Sequence, residues 1–238
     1  RRGAAIASPC ARAAIPAIAR AAPDRRGAAP PEARATQRAR VAIADGPAFS
    51  FVYRDNVEML EAAGAELVPF DPRVDAALPE ACTALYAGGG FPEVYAAELA
   101  GNERLLAEVA ARARAGLAVW AECGGMLWLA RSLDGHALAG VLPGDAAMTD
   151  QLTLGYRVGR TRTATPIAPP GAVLRGHEFR YSRLDPPGDA LDLAGRADTV
   201  RAGFGSTRLL ASYLHLHLGA APHLAEAFVS TAAGRPLP

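Results

Sequence analysis

The sequence contains no lysine; all 25 basic side chains are arginine, set against 24 Asp and Glu. A Walker-type phosphate loop uses a lysine to reach the phosphates, so this chain cannot build one. The formal charge is only +1. No field of one sign draws the chain to nucleic acid or to an anionic membrane, and neither is expected as a partner. Cysteine is scarce. Cys10, Cys82 and Cys123 are odd in number and contain no CxxC, which argues against a disulfide framework and fits a reducing cytoplasm. No apolar run is long enough to cross a bilayer. The opening residues 1–40, rich in Ala, Arg and Pro, lack the continuous apolar core of a signal peptide. A soluble, cytoplasmic protein is expected.

With 238 residues, half of them hydrophobic and 21% charged, the chain holds one large domain and can bury a substantial core. Residues 1–40, interrupted by Pro9, Pro16, Pro23, Pro30 and Pro31, read as a poorly ordered linker or the remnant of an upstream segment. Residues 41–238 read as the folded domain. Short apolar runs at Val41–Ala44, Glu66–Phe70, Thr83–Ala87 and Leu117–Ala121 predict buried strands. Helical patterns fall between them, over Asp55–Ala63 (stopped at Gly64), Val94–Leu99 and Glu103–Ala115. Alternation of this kind predicts an α/β fold with an open, mostly parallel sheet and helices on both faces. Later segments have few helices. Leu152–Val158 and Val173–Tyr181 read as strands, Val200–Leu218 as a hairpin turning near Gly205-Ser206, and Pro222–Ala232 as a closing helix, so some later strands should run antiparallel.

The most informative stretch is Ala121-Glu122-Cys123-Gly124-Gly125-Met126. A strand ends, a cysteine follows, then two glycines and a helical pattern. This is the spacing of a nucleophile elbow, in which a strained turn lifts the nucleophile above the sheet edge and bulky neighbours would clash. A thiol at a helix N-terminus is expected to have a lowered pKa, and the Gly124 N–H to point at a substrate carbonyl. The plain alternative is a small buried hydrophobe, which is how Cys10 and Cys82 are read. Gly88-Gly89-Gly90 ends another strand, where open α/β sheets place ligands, and can aim N–H groups at developing negative charge. A tight turn is the rival reading there. The base should be one of five histidines: His136, His177, His215, His217 or His223. In Tyr213-Leu214-His215-Leu216-His217-Leu218 the leucines alternate toward a core and the histidines away from it. Such a His-x-His pair also suits zinc or a solvated strand face, but no further ligands lie nearby in the sequence, and no metal is expected.

Together with Gly-Gly-Gly-Phe-Pro-Glu (88–93), Thr-Leu-Gly-Tyr-Arg (153–157), Gly-His-Glu-Phe (176–179), Tyr-Leu-His-Leu-His (213–217) and the opening Asp45 to Phe51 with Asn56, the elbow resembles the class I glutamine amidotransferases. The resemblance is to their cobyrinate branch, the glutaminase half of the cobyrinate and hydrogenobyrinate a,c-diamide synthases, and it covers residues 40–238. It implies glutamine hydrolysis through a thioester on Cys123, with His215 as base and His217 as second choice. It also implies an oxyanion hole from Gly89, Gly90 and Gly124, and substrate contacts from Phe91, Glu93, Tyr156, His177 and Glu178. The implied partner is a synthetase domain or subunit that holds the corrin precursor, ATP and Mg; no cofactor is expected in this chain, and a homodimer stays open. Close alternatives are the glutaminase of a cobyric acid synthase, that of a cell-wall-precursor amidating complex, or a non-catalytic subunit of the same fold. The sequence departs from the wider pattern twice. Leu216 and His217 stand where many class I members carry Pro-Glu, so the acid of the triad is missing, and Arg180 replaces a usual histidine.

Overall fold

The computed structural model describes residues 38–237. The expected linker lies almost wholly outside the described residues. The first half alternates as expected: β1 (Arg40–Ala44), α1 (Arg54–Ala62), β2 (Glu66–Phe70), β3 (Ala84–Ala87), α2 (Ala96–Gly101), α3 (Glu103–Arg114), β4 (Ala118–Glu122) and α4 (Gly124–Leu129). After α1 the chain turns at Gly64 with φ +95°, a conformation that only glycine adopts without strain. The second half is β-rich: β5 (Ser132–Leu133), β6 (His136–Ala137), β7 (Asp145–Thr161), β8 (Val173–Asp185), β9 (Leu191–Ala194), β10 (Thr199–Ala202), β11 (Phe204–Ser206), β12 (Leu209–Ser212) and β13 (His215–Leu216). Helix α5 (His223–Ala232) follows.

Six strands form the first sheet in the order β11-β12-β4-β3-β1-β2, all parallel except the edge strand β11. Its strands are largely apolar because both faces are covered, with polar residues confined to strand ends. Ala42, Ala44, Leu85, Ala87, Val119 and Ala121 pack with residues of α2, α3 and α4. Their neighbours Val41, Ile43, Tyr86 and Trp120 pack with α1 and α5. Each fully buried Leu or Phe in these layers is worth roughly 1.5–3 kcal/mol.

The α/β fold class stands, with one refinement. Most later strands do not extend the first sheet but build a second, dominated by the antiparallel pair β7–β8. The expected hairpin over 200–218 is likewise divided. Gly203, at φ +79°, breaks β10 from β11, and only β11–β12 forms a hairpin, with Ser206 opposite Leu209. β12 pairs with β4 in the first sheet, whereas β13 pairs with β8 in the second. The short crossing between them, Tyr213-Leu214, ties the sheets together beside Cys123, whose N–H donates to the Ser212 carbonyl at 2.8 Å.

Candidate active site

Cys123 follows β4 directly and sits at φ +47°, ψ −103°. That conformation costs a non-glycine residue on the order of 1–3 kcal/mol and persists only where the surroundings impose it. Here the Leu127 N–H donates to the Cys123 carbonyl at 3.0 Å, and the Gly125 N–H donates to the Gly88 carbonyl at 2.8 Å. A Cβ on Gly125 would lie 2.1 Å from the Ala87 carbonyl oxygen, so the elbow requires glycine at this position. The thiol opens on a cavity of about 250 Å³, in scale with a single amino acid. Gly90, Phe91, His177 and His215 line it with Cys123, and so do Phe51, Leu154 and Phe179, which sequence reasoning does not single out as site residues. The signal for Leu154 and Phe179 is their period-two spacing, Leu154 with Tyr156 on β7 and Phe179 with His177 on β8, which pairing brings to one sheet face.

His215 is only 4% exposed. It reaches the cavity because β13 pairs with β8 in a register that sets His215 opposite His177. The rings stack, with centroids 4.9 Å apart and planes 18° from parallel, and Phe51 meets His215 edge-on, also at 4.9 Å. Gly176 permits this approach, since a Cβ there would fall 2.0 Å from the His215 carbonyl oxygen. The leucines face the core as expected, Leu214, Leu216 and Leu218 being 1%, 2% and 0% exposed. The opposite face is not solvated, however. Tyr213 and His215 are buried beneath β8, where Tyr213 meets the Ser182 hydroxyl and the Arg180 guanidinium. His217 is half exposed, lies 3.4 Å from Asp55 and against the Tyr53 ring, and does not line the thiol's cavity. Of His215 and His217, His215 is therefore the imidazole that shares the cavity with Cys123, beside His177. Among the described residues no group of three or more His, Cys, Asp and Glu is placed to hold a metal.

Of the expected oxyanion donors, Gly89 is corrected. Its N–H is already committed to the Phe51 carbonyl at 3.0 Å. Gly90 and Gly124 remain: the missing Cβ of Gly124 would be 3.0 Å from the Gly90 nitrogen, Gly90 lines the thiol's cavity, and the Gly124 N–H faces the Cys123 sulfur. Of the expected substrate contacts, Phe91 and His177 line the cavity. Glu93 is partly buried, and burial raises its pKa. Tyr156 is 89% exposed and lines a neighbouring cavity of about 600 Å³ that shares His177 and His215 with the thiol's cavity. Glu178 is corrected as well. Alternation along β8 turns it away from the cavity that His177 and Phe179 line, and it is buried in an ion pair with Arg157 at 2.7 Å.

The expectation of a lowered thiol pKa does not hold. Burial pushes the Cys123 thiol up to about 12, against an opposing contribution from the Gly124 N–H, while Glu122 and Glu93 add to the rise. Helix α4 has only 6 residues, and desolvation outweighs its dipole. Burial, then His177, lowers His215 to about 4. Near neutral pH the pair is a thiol and an uncharged imidazole able to accept its proton. Glu122, one residue before the thiol, is almost fully buried. Its pKa is raised by burial to about 8, against hydrogen bonds from Leu216 and Tyr86. The clue in the sequence is an acid at the end of an otherwise apolar strand.

Residues 40–223 match the family described as the CobB/CobQ-like glutamine amidotransferase domain. Over 229 residues the chain is 45% identical to a hydrogenobyrinate a,c-diamide synthase of Streptomyces coelicolor, covering 94% of this chain and 47% of that protein. It is 37% identical to a cobyrinate a,c-diamide synthase of Salmonella typhimurium, covering 81% of this chain and 44% of that protein. The chain thus spans about half the length of these relatives. Two solved structures share the fold. A PurLQS structure from Thermotoga maritima aligns with TM-score 0.55 at 17% identity, over 83% of this chain and 96% of that one. A glutamine amidotransferase crystal structure aligns with TM-score 0.53 at 19% identity, over 82% and 98% respectively.

Proposed function

The chain belongs to the CobB/CobQ-like glutamine amidotransferase domain family, and we propose that within it Cys123 hydrolyses glutamine to supply ammonia to the synthetase part of a longer protein. The observation that carries this reading is the strained Cys123 and the buried His215 facing one amino-acid-sized cavity beside the Gly90 and Gly124 amides.

In the proposed reaction the glutamine side-chain carbonyl lies against those two amides. The sulfur attacks the carbonyl carbon as the thiol proton passes to His215. The resting thiol is not ionised, so proton transfer accompanies carbon–sulfur bond formation. The oxyanion is held by the Gly90 and Gly124 N–H groups, an arrangement in which one donor is worth roughly 3–4 kcal/mol. The imidazolium protonates the departing nitrogen, ammonia leaves, and a γ-glutamyl thioester remains. Water, deprotonated by His215, then attacks the thioester and releases glutamate and the thiol.

The ammonia acceptors are the a and c carboxylates of cobyrinate or hydrogenobyrinate, a reading supported by the names of the relatives above. The relatives' additional length would hold ATP, Mg and the corrin precursor, and the reaction belongs to the cytoplasm. The test uses this chain joined to its synthetase part. Cys123→Ser abolishes glutamine-dependent amidation and leaves ammonia-dependent amidation intact. Loss of both, or survival of the glutamine-dependent reaction, overturns the division of labour.

A further inference from the structure

His215 has no acid of its own. Its Nδ1 is buried and makes no hydrogen bond among the described residues, so none of their carboxylates or carbonyls orients the imidazole from behind. What is fixed instead is the main chain that carries it. The Glu122 carboxyl accepts the Leu216 N–H at 3.1 Å and the Tyr86 hydroxyl at 3.2 Å. The Asn56 amide donates to the Leu216 carbonyl at 2.8 Å and to the Tyr86 oxygen at 3.3 Å, and its oxygen accepts the Leu218 N–H at 2.8 Å. All three side chains are fully or almost fully buried. They come from β4, β3 and α1, three elements of the first sheet and its helix layer, and converge on the segment that begins with His215. From the other side, β13 is held to β8 by only the pairs His215–His177 and Leu216–Gly176.

We propose that Glu122 is a positioning residue for the glutaminase reaction. With Tyr86 and Asn56 it clamps the backbone on the C-terminal side of His215, performing through the main chain the orienting work that a triad acid performs on the ring. The proposal rests on the glutaminase reading above. It accounts for an acid at the end of a strand whose other residues are apolar, one residue before the nucleophile. A strand that rigidly places the thiol places the base as well, because the same residue pair, Glu122-Cys123, reaches both. The Tyr86 phenol serves as the relay, held between the Glu122 carboxyl and the Asn56 amide.

The experiment measures glutamine hydrolysis by the chain joined to its synthetase part, with kcat and KM separated. Glu122→Ala leaves the Leu216 N–H without an acceptor and lowers kcat by about 100-fold at unchanged KM, the lower end of what a positioned acid or base contributes. Glu122→Gln retains an acceptor oxygen for Leu216 and restores kcat to within about threefold of the parent. If Glu122→Ala does not fold, Asn56→Ala, which acts on the same segment from α1, lowers kcat by about 10-fold, again at unchanged KM. The proposal is overturned if kcat survives these truncations, if KM alone moves, or if Glu122→Gln is as damaged as Glu122→Ala, which would make charge rather than geometry the contribution. A parent protein that hydrolyses no glutamine would instead sink the glutaminase reading itself.

Discussion

The two sheets contribute to the site in different ways. The parallel sheet supplies backbone: the strained turn at Cys123 and the glycine amides of the loop after β3. The antiparallel sheet supplies rings and walls: His177, Phe179 and, through β13, His215. In the parallel sheet each contribution lies within a few residues of its strand end, so local sequence dictates it. In the antiparallel sheet each depends on pairing between distant segments, β8 with β7 and with β13. Cys123 and the Gly90 and Gly124 amides thus belong to a rigid frame, and His215 belongs to a two-residue strand that must be held in place.

That asymmetry predicts a graded response to glycine substitutions. The largest effect falls in the parallel sheet. Gly125→Ala drives a methyl group to 2.1 Å from the Ala87 carbonyl oxygen, between β3 and α4, where neither backbone can yield cheaply. It should destabilise the domain by about 3 kcal/mol or more in urea unfolding and abolish hydrolysis. A variant of parent stability would show that the elbow can relax around a methyl group. Gly176→Ala places its methyl equally close, 2.0 Å from the His215 carbonyl oxygen, but against the short β13. Here β13 can shift away, so the cost in stability is smaller, about 2 kcal/mol, while hydrolysis falls by about 100-fold because the base moves. Equal loss of stability in the two variants would erase the distinction between frame and appended base.

The same asymmetry explains what the sequence discloses. The elbow, the glycine loop and the strand-helix alternation before Leu133 are legible because each is a local signal: a strand end, a glycine pair, a change of period. The register that stacks His215 on His177 has no local signal, nor does the separation of the later strands into a second sheet. Motif alone places Tyr156 and Glu178 at the site; strand alternation sends Glu178 to the buried face, and Tyr156, on the same face as Leu154, lies one pair further along in the neighbouring cavity. A lowered thiol pKa is a local inference from a helix start. It fails because desolvation depends on everything packed around the sulfur. Glu122 is visible in the sequence as an oddity, but its role becomes legible only where Leu216 and Tyr86 meet it in the fold.

The smallest expected effect probes the joint between the two regions through pH. Glu122 has a folded pKa raised from 4.5 to about 8, so near neutrality the folded protein holds a proton there that the unfolded chain has released. Folding then binds more protons than unfolding, and this contribution to stability declines as pH rises toward 8. His215 works in the opposite sense. Its folded pKa is lowered from 6.5 to about 4, so its contribution is complete above pH 6.5 and is lost as pH falls below it, and His177 shifts in the same direction. The two trends oppose each other below pH 6.5, and the Cys123 and Tyr86 shifts act only at higher pH. Between pH 6.5 and 7.5 the Glu122 trend outweighs what remains of the histidine contribution, and urea unfolding should show a net loss of roughly 0.5–1 kcal/mol across that unit. Glu122→Gln, which cannot ionise, should remove the slope while keeping the hydrogen bond to Leu216. A parent protein with flat stability over this interval would mean that the carboxyl is already ionised in the fold, and that β4 carries a charge rather than a proton beneath the thiol.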